Sequence, residues 1–221
     1  MIRAIVFDLD GTLIDSRRDI VTSANHALAK HGFAELSPEE IESYVGDGAR
    51  TLLARSARLP ETDARLDALL ESFLDYYTAH PIDGTTLMPG AREALALFPS
   101  SALALCTNKA RRTTLAVLEG LGLIDAFHAV SAGGDFPEKK PHPRPILALA
   151  ESLKVAPAEL LMVGDGAQDV LAGRAAGAVT VGVRGGIQGV ERLLEARPDH
   201  LLDTLHELPA LLERLGAQPL R

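Results

Sequence analysis

Tryptophan is missing from this chain, and aromatic residues of any kind make up only 4% of it. Hydrophobic residues still account for 47%, so the core must be built from aliphatic side chains and alanine. With a single cysteine, Cys106, no intrachain disulfide can form. Lying in the run Ala102-Leu103-Ala104-Leu105-Cys106, it reads as a small buried apolar residue. No apolar run approaches the roughly 18 residues expected of a membrane span. The N-terminus lacks a charged leader with an apolar stretch and a cleavage site. Basic residues are in the minority: 22 Lys and Arg against 30 Asp and Glu give a net charge of −8. That balance argues against nucleic acid or an anionic membrane as the main partner, while leaving room for a local positive pocket. These absences predict a soluble, cytoplasmic protein. At 221 residues it suits one large domain or one domain with an insertion. Oligomeric state is not specified by any of these features.

The chain has two textures. Residues 2–7 form a short apolar run, too short for a helix and cut off by Asp and Gly, which predicts a buried strand of a parallel sheet. From Ser16 to Gly84 the pattern is helical, with no convincing strand. One helix is expected to run from Asp15 or Ser16 to about Lys30, and a second starts at Ser37-Pro38-Glu39-Glu40, where Ser37 and Glu40 suit a capping box. Two more cover residues 49–58 and 63–79, the last with an apolar stripe that includes Leu66, Leu69, Phe73 and Tyr77. Beyond Pro89 strands alternate with helices. Strands are expected at residues 102–106, 127–131, 160–163, 179–183 and 200–202, and helices at 89–98, 112–121, 143–153, 167–176, 190–196 and 205–215. That alternation means βαβ units on a parallel sheet to which the opening strand also belongs. The predicted fold is therefore an α/β core, residues 1–15 and 85–221, interrupted by an all-helical insertion at 16–84. No internal repeat or low-complexity segment is evident.

Unusual polar groups follow three of these strands. Asp8 and Asp10 end the first, and alternation in extended chain lets both face one space. Thr107 and Asn108 end another. Asp165 ends a third, with Asp169 on the first turn of the next helix. Lys139 and Lys140 sit in the loop between the last two. In a parallel sheet these ends share one edge, the place where ligands bind in such folds. An EF-hand loop also begins D-x-D, but it needs Gly at its sixth position, where Leu13 stands, with Gly11 too early. The chemistry suggested is phosphoryl transfer. Asp8 would be the nucleophile, forming an aspartyl-phosphate. Asp10 would serve as general acid and then base. Asp8 and Asp165 offer hard oxygens suited to Mg²⁺ rather than to softer-site metals. The Thr107 hydroxyl and Asn108 could donate to phosphate oxygens, and Lys140 would supply positive charge against phosphate and Asp8.

The set DLDGT, T-N-K after a strand, K-K-P and GD-x-x-x-D, in this order and context, resembles the haloacid dehalogenase-like hydrolase superfamily over nearly the whole chain. The resemblance implies a Rossmann-like, three-layer core with a helical cap inserted after the first motif. It implies that Asp8 is the nucleophile, Asp10 the acid/base and Asp165 a metal ligand. By the same resemblance the metal also takes the backbone carbonyl of Asp10, and Asp169 orients the metal shell. Lys140 precedes Pro as the family lysine does, with Lys139 as the alternative. Mg²⁺ is the expected cofactor, and the sequence does not discriminate it from Mn²⁺ or Co²⁺. Dehalogenases lack an acid two residues after the nucleophile, so Asp10 argues against that activity. E-K-K-P-H-P-x-P and the stretch Tyr44 to Arg50 look like phosphoglycolate phosphatases. Gly166-Ala167-Gln168 departs from the common Ser-containing last motif. The implied partner is a small phosphate monoester, with 2-phosphoglycolate first. Gly46 and Gly48 could let backbone approach a small ligand, and the Arg50 fork suits a carboxylate. Sugar-phosphate phosphatases and β-phosphoglucomutases, with the same cap type, are the alternative. From a different class, a receiver-like signalling module also clusters Asp, Thr and Lys, but would be roughly half this length without a helical insertion. A protein-binding module on a decayed enzyme fold would not need the intact acid pair and lysine.

Overall fold

Ala4, Ile5, Val6 and Phe7 offer water no polar side chain on either face. The computed structural model, which describes residues 1–219, puts them in the middle of a parallel sheet with no exposure at all. This strand, β1 (Ala4–Phe7), is flanked by β4 (Leu103–Ala110) and β6 (Leu160–Gly164). Beyond β4 lies β5 (Ala129–Gly133), and beyond β6 lie β7 (Val179–Val183) and β8 (His200–Leu202). The order is β5-β4-β1-β6-β7-β8, every pair parallel. The chain builds outward from β1 to β5 on one side, then crosses back to β6 on the other. The switch point therefore falls at β1, and ligands of such sheets bind beyond the strand ends there. Helices α5 (Ala91–Leu95), α6 (Arg111–Gly120), α7 (Arg144–Leu153), α8 (Ala167–Ala176), α9 (Val190–Glu195) and α10 (Leu208–Arg214) fill the connections.

Between residues 16 and 85 the chain makes four helices: α1 (Arg17–Lys30), α2 (Pro38–Glu42), α3 (Ala49–Ala57) and α4 (Arg65–Ala79). Leu66, Leu69, Phe73 and Tyr77, at spacings of three and four, form the buried face of α4. That face packs on α1 and reaches α6 of the core. A two-residue antiparallel ribbon, β2 (Ile14–Asp15) with β3 (Thr86–Leu87), ties the exit and return of this segment together. The Asp19 carboxylate reinforces the junction by accepting from Gly84 N at 2.8 Å and from Thr85 Oγ1 at 2.6 Å.

Several boundaries differ from the sequence expectation. β4 continues to Ala110, four residues past its expected end at Cys106, with a register shift against β5. Thr107 and Asn108 are therefore strand residues. β5 lies two residues later than expected because its pairing with β4 begins at Ala129. The helix expected at residues 89–98 is only α5, and the closing helix is split into a 3₁₀ turn, Leu205–Glu207, and α10, with Pro209 in its first turn. Ser37 accepts from Glu40 N as a helix cap. Ser16 makes no cap bond, because its hydroxyl is engaged elsewhere.

Candidate active site

Asp8 follows β1 directly, and its backbone N–H continues the ladder to Val163 O. The chain then turns sharply: Leu13 N and Ile14 N both reach back to Leu9 O. Gly11 allows this turn with φ at +87°, and a Cβ there would lie 2.2 Å from Asp165 Oδ2. The turn thus seats the first acidic loop against the third. Asp165 is fixed by Ile187 N at 2.8 Å and Gln188 N at 3.1 Å, both on Oδ2, and by Thr12 Oγ1 at 3.3 Å on Oδ1. Asp169 accepts from Gly166 N with Oδ2 and caps its own helix. Lys140 joins the set. Its ammonium donates to Asp8 Oδ1 at 2.7 Å, Asp169 Oδ1 at 2.5 Å and Cys106 O at 2.6 Å. Carboxylate oxygens of Asp8, Asp165 and Asp169 come within 4.8 Å of one another.

These groups are almost out of contact with water, and three carboxylates face one ammonium. Two of the three, Asp8 and Asp165, hold their protons more tightly than an ordinary carboxyl. Burial, then the charge of Asp169, pushes the Asp8 carboxyl well above the usual carboxylate range, with Lys140 pulling it back only partly. Burial and Asp169 likewise push Asp165 up to about 7, against the backbone N–H groups it accepts from. Burial works against the charge of Lys140, but Asp169 and Asp8 override it and hold the lysine protonated, above its ordinary value. The Cys106 thiol is pushed up to about 12 by burial, which leaves it unreactive.

A cavity opens beside this cluster, between the sheet edge and the helical segment. Asp8, Asp10 and Thr107 border its polar end, and Val45, Leu52 and Phe73 its apolar end. Asp10 accepts from Ser16 Oγ at 2.6 Å and from Lys109 Nζ at 3.0 Å. Thr107 Oγ1 accepts from Lys109 N, so its own hydrogen remains to be donated.

Two of the expected binding residues have side chains engaged elsewhere. Asn108 was expected to donate to phosphate oxygens. Both hydrogens of its Nδ2 are instead spent on Gly46 O and Lys140 O, each at 2.9 Å, while Oδ1 accepts from Lys140 N. It joins the lysine loop to the helical segment. Arg50 was a candidate for holding a substrate carboxylate. Its guanidinium turns toward α4, donating to Asp67 Oδ1 at 2.7 Å and Glu61 O at 3.0 Å, while Ala49 and Leu52 of the same helix border the cavity. A helix advances about 100° per residue, so Arg50 cannot share their face. Gly46 and Gly48 do border the cavity. Their close approach is to the core: a Cβ on Gly46 would meet the Gln188 side chain, and one on Gly48 would meet Asn108 O. The two lysines also part in space. Lys139 Nζ reaches Asp47 O and Thr51 Oγ1, away from the acids that Lys140 serves.

The sequence pattern assigned no individual site role to Lys109, Tyr77, Thr12 or the backbone of Ile187 and Gln188. Lys109 had a usable signal. It lies two residues after Thr107 on a strand, the same alternation that pairs Asp8 with Asp10. Tyr77 was read only as part of the apolar stripe, and the 187–188 loop carries no mark of its task.

Comparison with known proteins places this geometry. Residues 5–183 match the family model described as haloacid dehalogenase-like hydrolase. A phosphoglycolate phosphatase of Chromobacterium violaceum is 43% identical over 190 residues, covering 82% of this chain and 85% of that protein. One of Agrobacterium fabrum is 37% identical over 216 residues, covering 95% and 92%. Among solved structures, a predicted phosphoglycolate phosphatase from Haemophilus somnus superposes with a TM-score of 0.86 at 28% identity, covering 95% of this chain and 97% of that one.

Proposed function

The chain belongs to the haloacid dehalogenase-like hydrolases, and we propose from this that Asp8 attacks the phosphorus of 2-phosphoglycolate and releases glycolate. The protein is a phosphoric monoester hydrolase of the phosphoglycolate phosphatase-like branch. The observation that carries the assignment of roles is Lys140, whose ammonium bridges Asp8 and Asp169 beside the cavity. Lys140 holds Asp8 Oδ1, which leaves Oδ2 to attack. As the bond from Asp8 to phosphorus forms, the ester bond breaks, and Asp10 gives the leaving oxygen its proton. Asp10 then takes a proton from water attacking the same phosphorus, the bond to Asp8 breaks, and phosphate leaves. Thr107 donates its hydroxyl to a phosphoryl oxygen. Residues 16–84 act as a cap that closes this chemistry off from bulk water, with the core formed by 1–15 and 85–221.

The donor set fits Mg²⁺. Three buried carboxylates against one ammonium need a further cation, and all the donors are hard oxygens. Asp8, Oδ1 of Asp165 and the Asp10 carbonyl would hold the ion, with Asp169 behind them. When bound, it supplies charge against the acids and polarises the phosphoryl group. None of the helices among the described residues is long and apolar enough to cross a membrane.

A panel of phosphate monoesters with Mg²⁺ tests the function, and 2-phosphoglycolate should give the highest kcat/KM. Hexose phosphates ahead of it by tenfold, about 1.4 kcal/mol, would remove the substrate assignment and keep the phosphatase. The metal has a separate readout in thermal stability. The folded pKa of Asp165 is about 7, above its unfolded value. Its stabilising contribution is therefore full at low pH and lost as pH rises through about 7. A cation restores what is lost, so Mg²⁺ should raise Tm at pH 8 and hardly at pH 4.5. An equal shift at both would place the ion elsewhere. Arg50→Ala should leave KM for 2-phosphoglycolate within about twofold, since the guanidinium serves an exposed ion pair with Asp67. A KM rise confined to carboxylate-bearing esters would show that Arg50 swings into the cavity during turnover.

A further inference from the structure

Lys109 is a lysine that the reaction as derived does not use, yet it is buried beside the reacting groups with its side chain only 5% exposed. A buried ammonium is costly unless it is paired and fully hydrogen-bonded. Here it meets both conditions. Nζ lies 3.0 and 3.3 Å from the two oxygens of Asp10 and 2.6 Å from the Tyr77 hydroxyl, and it sits 4.1 Å from the centre of the Tyr77 ring. Burial opposes the charge, but Asp10 and the tyrosine contacts outweigh it, so the lysine stays protonated.

The three partners come from three places. Asp10 is on the loop after β1. Lys109 is on the extension of β4. Tyr77 is near the end of α4, in the helical segment. Asp10 has one further partner, Ser16 Oγ, at the entrance to α1. The carboxylate is thus held from two sides, by the residue before the first helix of the segment and, through Lys109, by a residue on the last. α1 and α4 pack extensively on each other. Carboxylate side chains rotate freely about χ2, and proton transfer needs the oxygen within hydrogen-bond reach of the ester oxygen.

We propose that Lys109 and Tyr77 are positioning residues for Asp10. The ammonium fixes the carboxylate at the cavity, and the Tyr77 hydroxyl fixes the ammonium, so the acid/base group is set only while α4 is packed against the core. This rests on the role given to Asp10 above. It assigns neither residue a contact with substrate.

Tyr77→Phe, Lys109→Met, Lys109→Arg and the double variant Tyr77→Phe/Lys109→Met decide it, with Asp10→Asn alongside. Tyr77→Phe keeps the ring and the cation–π contact and removes one hydroxyl. It should lower kcat for 2-phosphoglycolate about tenfold with KM within about twofold. Lys109→Met should lower kcat about 10²-fold, and Lys109→Arg should recover part of that. The double variant should be no slower than Lys109→Met alone, because the hydroxyl acts through the ammonium. With p-nitrophenyl phosphate, whose leaving group needs little protonation, the first burst of nitrophenolate should survive in every variant while the steady rate falls. A general loss of packing would remove the burst as well.

Unchanged kcat in Tyr77→Phe, or losses that multiply in the double variant, would overturn the proposal. If Lys109→Met does not fold, Tyr77→Phe and its burst still decide. Turnover that survives Asp10→Asn would instead overturn the acid/base reading on which the proposal stands. An inactive Asp10→Asn beside unaffected Lys109 and Tyr77 variants would overturn this inference alone.

Discussion

Replacing Asp8 by asparagine should lower kcat by roughly 10⁴-fold or more, the scale on which loss of a catalytic nucleophile is felt. The amide keeps the volume and one oxygen, so Lys140 can still be met, but it cannot supply the anionic oxygen that bonds to phosphorus. The same change should not destabilise the protein. Burial and Asp169 hold the Asp8 carboxyl well above the usual range, so above that range its ionised form works against the fold. Asn removes one of three crowded negative charges, while Lys140 keeps Asp169 and Cys106 O as partners. Tm without divalent ion should therefore hold or rise while turnover collapses. That combination separates a lost nucleophile from a lost fold. Near-normal hydrolysis by Asp8→Asn, measured on 2-phosphoglycolate and on an aryl phosphate, would sink the aspartyl-phosphate route.

How far the sequence could be read depends on whether a group's direction follows from its own element. β1 was legible because an apolar run bounded by Asp and Gly has few other homes. Asp8 and Asp10 were legible because a strand alternates its side chains. Arg50 was not. The chemistry of its side chain suited a carboxylate, but which way it points is set by the rotation of α3, and that rotation is fixed by burial of Leu52 and Leu53 against neighbours no local pattern reveals. Lys139 and Lys140 make the same point. Adjacent residues of one loop, they diverge to opposite sides, one to Asp47 and the other to the acids. Asn108 misled in another way. Its donors were foreseen, and their acceptors, Gly46 O and Lys140 O, come from segments 62 and 32 residues away. The ribbon of β2 and β3 escaped notice because two-residue strands have no period to detect.

Lys140→Met should produce the largest combined loss of stability and activity. The side chain is 1% exposed, and methionine matches its length and volume, so packing is conserved. What disappears is the one positive charge among Asp8, Asp165 and Asp169. Breaking a buried ion pair by removing one partner typically costs about 3–5 kcal/mol, because the partner stays buried and uncompensated. Here two bonded carboxylates, Asp8 and Asp169, are left, together with the orphaned Cys106 carbonyl. Activity should fall by about 10³-fold or more, since positive charge at the transferring phosphoryl group is lost along with the anchor of the nucleophile. The pH dependence carries the diagnosis. Without the lysine, the Asp8 and Asp165 carboxyls are pushed further above their unfolded values, so the folded state favours their protonated forms more strongly than before. Their contribution is intact at low pH and is lost as pH rises through the raised values. Urea unfolding should accordingly show a deficit relative to the unaltered protein that is large at pH 8 and much smaller at pH 5, and Mg²⁺ should recover part of it at pH 8. A deficit of equal size at both pH values would mean that Lys140 stabilises the site by packing, and that the acids of the cluster are balanced by something other than its charge.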